Sequence, residues 1–217
     1  MSSTPNTEKP HKFLAHHFSE PSQQESAAKL GMWLFIATEV LFFGGLFMAY
    51  WAFRYFYPGT LLAAHEYLDK TLGTINTVVL ITSSLTMALA LHSAQTGKQR
   101  ALVLNLTLTI SLACLFLLIK YVEYGHKFHD GLLPGKFYTA QGIPGLPHIF
   151  FGLYFVLTGL HALHVLIGIG VLIWILRRAM RSEFGKTYYT AVENTGLYWH
   201  FVDIVWIFIF PLLYLVK

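Results

Sequence analysis

Tyr198-Trp199-His200-Phe201-Val202-Asp203-Ile204-Val205-Trp206 lies inside the last apolar run of a 217-residue chain. His200 and Asp203 are three residues apart, so on a helix they share one face. Ionisable groups at bilayer depth are costly, and a chain retains them mainly where they face protein or water. The rest of the sequence has to supply what these two face.

Working outward, the composition is that of a membrane protein. Hydrophobic residues make up 55% of the chain, charged residues only 12%, and the mean hydropathy is +0.52. Such a chain is too apolar for an ordinary soluble domain. Its 18 Phe, 12 Tyr and 5 Trp suit lipid contact and interfacial anchoring. The net charge of +4 does not point to nucleic acid, because the basic residues gather at the ends of apolar runs. The lone cysteine, Cys114, sits inside an apolar run and rules out a disulfide framework.

Five apolar runs are long enough to cross a ~30 Å hydrocarbon core. They predict helices over residues 30–54, 71–92, 101–123, 147–177 and 193–216. The expected fold class is therefore all-α: a polytopic bundle of five transmembrane helices over residues 29–217, preceded by a polar tail at 1–28. The tail lacks the basic start, apolar core and cleavage site of a secretory signal. Its His11, His16 and His17 have no Cys or carboxylate at ligand spacing. Residues 125–147 form the one sizeable loop, too polar for lipid and too short for a domain. Gly152 and Gly159, two turns apart, are expected to let another helix approach closely. Nine of the 15 Lys and Arg fall on the side of the N-terminus and the 92–100 and 176–190 loops, against six on the other. By the positive-inside rule, the N-terminus is then cytoplasmic and the C-terminus outside.

On that topology Glu39, His161, His164, His200 and Asp203 fall within a turn or two of one plane. Asn76-Thr77 and Ser83-Ser84, in the second run, can hydrogen-bond to neighbouring helices or to their own backbone. A mid-membrane carboxylate such as Glu39 must be neutral, paired or beside water, and is a functional candidate by default. His161 with His164, and His200 with Asp203, read as buried polar groups joining helices. A transition-metal site made from them lacks a cysteine or a second carboxylate at hand. Gly185-Lys186-Thr187 looks like the end of a phosphate-binding loop, but Met180 stands where its first Gly is required. No nucleophile–base constellation supports hydrolysis.

Five collinear stretches carry a more specific signal. Residues 198–206 closely resemble the last-helix signature of subunit III of the haem-copper terminal oxidases. Thr38-Glu39-Val40-Leu41-Phe42-Phe43 is similar to that family's glutamate helix. Asn76-Thr77 with Ser83-Ser84 resembles its next helix, and Glu123-Tyr124 the end of the one after. Leu157-Thr158-Gly159-Leu160-His161-Ala162-Leu163-His164-Val165 resembles its Thr-Gly-x-His-x-x-His-Val segment.

The resemblance implies a non-catalytic subunit of a complex that reduces oxygen to water with proton translocation. It implies haem and copper in partner subunits, none in this chain, and no metal site here. The chain is expected to pack against the catalytic subunit I and other oxidase subunits, to support proton entry and to protect the active centre. Phospholipid is expected in a cleft between helix groups. By the same resemblance, Glu39 takes the place of the family's intramembrane glutamate. Glu193 and Trp199 match the glutamate and tryptophan of the last-helix motif. Arg177, Arg178, Arg181 and Lys186 fall in the loop that carries lipid-headgroup ligands. The chain begins where the family's third helix does, like the short form of bacterial cytoplasmic membranes. Asn76-Thr77 leans toward the cytochrome c branch, with a quinol oxidase subunit as the alternative. A stand-alone proton-coupled transporter is disfavoured, since there is no internal repeat and no broken helix.

Overall fold

The computed structural model describes residues 18–134, 137–140 and 144–215. His11, His16, His17, Lys136 and Lys217 lie outside them. Six helices follow one another: α1 Pro21–Phe56, α2 Pro58–His65, α3 Lys70–Thr96, α4 Gln99–His129, α5 Pro147–Met180 and α6 Thr190–Tyr214. Five of them, all but α2, are long and apolar enough to cross a membrane. Five crossings put residues 21 and 214 on opposite faces of the bilayer.

The boundaries have local causes. Tyr57 precedes Pro58, and the proline ring disfavours a helical conformation there (φ −132°, ψ 54°). The chain turns, and Pro58 opens the unforeseen short helix α2 at a position where no backbone N–H is needed. Asp69 caps α3 by accepting from the Thr71 and Leu72 amides at 2.9 and 3.0 Å. Gly97, at φ +74°, ends α3 in a left-handed turn whose amides return to Ala94 and Ser93. That turn folds α4 back against α3. At the other extremes, α1 starts at Pro21, so the polar residues 21–28 are already helical. Helix α4 runs on to His129 and takes in the start of the expected loop. At about 1.5 Å per residue, α1 and α5 span roughly 50 Å and project beyond the hydrocarbon.

Exposed Leu41, Met48, Leu118 and Leu166 make the outer surface apolar, as lipid contact requires. Helix α6 is the most enclosed span and α1 the least. Lipid removes the hydrophobic drive between helices, so close packing and hydrogen bonds must hold them. Trp199, fully buried, donates to the Ser83 hydroxyl at 3.1 Å, and Trp206 donates to Thr77 at 3.1 Å. Both bonds tie α6 to α3. Gly168 makes room for this: a Cβ there would lie 2.7 Å from the Trp199 ring. Gly152 and Gly159, expected to allow close approach, have only ordinary neighbours at 3.9 Å. Among the described glycines within helices, the tight contacts fall instead at Gly168 and Gly73.

Candidate functional site

Helices α1 and α6 run parallel, tied at both ends. Near the start of α1, Lys29 lies 3.1 Å from Glu193, and Asn194 donates to the Ala28 carbonyl at 3.3 Å. Near its end, Tyr50 donates to the Leu212 carbonyl. Between these ties, Glu39 Oε2 meets His164 Nε2 of α5 at 3.0 Å, both side chains partly exposed. The edge of Phe43 packs on the imidazole at 5.1 Å, and Tyr198 of α6 donates to the His164 carbonyl at 2.9 Å.

The proton content of this pair follows from its second contact. His164 Nδ1 lies 2.7 Å from the Leu160 carbonyl, which can only accept, so Nδ1 carries a hydrogen. A hydrogen bond across the 3.0 Å contact then needs one further proton between Nε2 and Oε2. It belongs either to a carboxylic acid donating to a neutral imidazole or to an imidazolium donating to a carboxylate. Both forms have no net charge, which is what hydrocarbon depth demands. The pair can thus exchange a proton internally, and its partial exposure leaves it open at one side.

The other expected members of the polar layer go elsewhere. His161, three residues from His164, is turned into the interior, its ring centroid 5.6 Å from that of Phe116 and 5.2 Å from that of Trp206, with neither ring nitrogen hydrogen-bonded. His200 Nδ1 shares a 2.7 Å hydrogen bond with Ser84 of α3. The Asp203 carboxylate is buried facing the same serine, yet neither oxygen makes a hydrogen bond of ordinary geometry. His200 and Asp203, read as polar groups joining helices, thus both face Ser84 of α3 rather than the histidines of α5. The Asn76 side chain is buried without a partner. Among the described residues no group of three His, Cys, Asp or Glu is arranged to hold a metal ion.

A second ionisable pair lies in the interior, and sequence reasoning missed it. Lys120 and Glu123, on one face of α4, are 4% and 1% exposed and 2.9 Å apart. Tyr154 of α5 and Tyr214 of α6 both donate to Glu123 Oε1. The ammonium also donates to Tyr214 at 2.9 Å and lies over the rings of Tyr124 and Trp206. The i,i+3 spacing of Lys120 and Glu123 was the available signal. Placed at the end of an apolar run, it looked like an interfacial boundary.

Of the basic loop residues, Arg178 is engaged. It reaches Glu183 at 2.7 Å and stacks on Trp174 and Phe184. Arg177, Arg181 and Lys186 are exposed. Apolar grooves flank α1. One of about 430 Å³ between α1 and α6 is lined by Trp33, Val40, Phe43, His200 and Phe208. Another of about 370 Å³ reaches Trp174 between α1, α5 and α6.

A five-span helical membrane protein with a paired intramembrane carboxylate is the class of molecule these features define. The family model for cytochrome c oxidase subunit III matches residues 12–217. Cytochrome c oxidase subunit 3 of Pelomedusa subrufa is 33% identical over 213 residues, that of Gadus morhua 34% and that of Loxodonta africana 33%. Each comparison covers 93% of this chain and 73% of the relative. The chain belongs to the cytochrome c oxidase subunit III family, whose members are subunits of a multi-subunit respiratory enzyme in a membrane.

Proposed function

We propose that this chain is a non-catalytic subunit of a cytochrome c oxidase, and that Glu39 and His164 serve proton uptake by the catalytic subunit. The carrying observation is their 3.0 Å contact, a carboxyl group and an imidazole placed to share one proton, with both side chains partly exposed. A carboxylate kept in hydrocarbon purely for packing has no need of a partner that can take its proton. On this reading haem and copper reside in partner subunits, and the chain stabilises the one that reduces oxygen. Acyl chains of phospholipid occupy the grooves beside α1. Exposed Arg177, Arg181 and Lys186 offer charge to anionic headgroups, while Arg178 shapes the loop through Glu183. The excess of basic residues in the 92–100 and 176–190 loops sets the N-terminus in the cytoplasm.

The test is Glu39→Gln in the purified complex. An amide can still donate to His164 Nε2, so assembly persists while the transferable proton is lost. The expected result is changed proton uptake, or a shorter active lifetime during turnover. Unchanged turnover, pumping and lifetime would reduce the pair to helix packing.

A further inference from the structure

The Lys120–Glu123 cluster is closed in a way that a relay cannot be. Three ammonium hydrogens face Glu123 Oε2 at 2.9 Å, Tyr214 Oη at 2.9 Å and Tyr154 Oη at 3.4 Å. Two phenolic hydrogens, from Tyr154 and Tyr214, face Glu123 Oε1. Each donor thus has an acceptor within the cluster, and the whole carries no net charge. Lys127, one turn beyond Glu123, is turned away and donates to the Tyr67 carbonyl. The cluster has no open end through which a proton could enter or leave.

Its members come from three helices in chain order. Helix α4 brings the charges, α5 brings Tyr154, and α6 brings Trp206 and Tyr214. Tyr214 is the last residue of α6, so it arrives only when that helix is threaded to its end. Until then Glu123 lacks one of its donors and Lys120 lacks an acceptor and two of its rings, a costly state for buried charges in a membrane.

We infer that Lys120 and Glu123 form an assembly latch: a pair that α4 carries into the bilayer and that only the far end of α6, through Tyr214, seals. A half-seated α6 leaves an unsatisfied polar face on α4, so the complete five-helix arrangement is favoured over partial ones. The latch is independent of the proton role of Glu39.

The full chain, expressed in membranes and solubilised in detergent, tests this by the amount that elutes as a single folded species after heating. Lys120→Met leaves Glu123 uncompensated and should lower that amount about tenfold or more. The double variant Lys120→Met/Glu123→Met removes both charges and should return to within about twofold of the parent. Tyr214→Phe should cost about threefold in the parent and nothing further in the double variant, because the hydroxyl then has no charge to satisfy. The latch is overturned if Lys120→Met behaves as the parent. It is equally overturned if the double variant is as poor as Lys120→Met, or if Tyr214→Phe costs the same in both backgrounds.

Discussion

Lys120–Glu123 and Glu39–His164 are both ionisable pairs within the membrane-spanning helices, and they differ in burial and in what surrounds them. Lys120–Glu123 is fully enclosed, drawn from one helix and roofed by rings and hydroxyls from two others. Glu39–His164 joins the least enclosed helix to α5, with side chains 18% and 13% exposed. In the first, protons and acceptors balance internally; in the second, a shared proton has two possible owners and both side chains are partly exposed. Burial makes a pair costly to break by halves and closes it to protons. Partial exposure does the reverse.

The comparison can be broken by substitutions, taken here from the largest expected effect. Lys120→Met should destabilise the folded chain by about 3–5 kcal/mol, the usual cost of orphaning a buried charge, read as loss of heat resistance. A value below that of Glu39→Gln would invert the assignment of lock and working pair. Gly168→Ala should cost about 1–3 kcal/mol, since its methyl runs into the Trp199 ring at 2.7 Å. Gly44→Ala, beside the groove along α1 where nothing lies within 4 Å, should be neutral or slightly stabilising in the same assay. Equal costs at the two glycines would mean that α1 is packed as tightly as the enclosed side. Ser83→Ala takes the acceptor from Trp199 and should cost about 1 kcal/mol by thermal unfolding. Glu39→Gln should shift stability least, by under about 0.5 kcal/mol, because the amide keeps a donor toward His164. Its signature should appear instead in proton uptake and turnover lifetime, and in infrared difference spectra that lose a carboxyl band on substitution.

Much of the fold is visible in the amino-acid order. Apolar runs of membrane length, breakers such as Pro58 and Pro147, and aromatic ends mark the five spans, though α1 begins at Pro21 rather than 30 and α4 runs to His129 rather than 123. The short helix α2 escaped because eight residues carry too little periodicity to stand apart from a loop. The candidate site was half legible. Glu39 stands out by depth alone, and so did its need for a partner, but His164 was one of several histidines at the same level. His161, with the same neighbours in sequence, turned out to face the interior. Lys120 does not stand out in the sequence, because a lysine at the end of an apolar run is ordinarily interfacial, whereas rings from α5 and α6 fold over this one.

The sequence by itself determined the number of crossings, their order and the family, because hydrophobic length and motif order are properties of the chain read locally. Tertiary structure alone decided which polar group meets which. Glu39 pairs with a histidine 125 residues away, and Tyr214 with a glutamate 91 residues away. Those meetings depend on how far each helix is rotated about its axis and how closely it approaches. Contacts such as Trp199 against Gly168 set that rotation, and they exist only once the helices have packed.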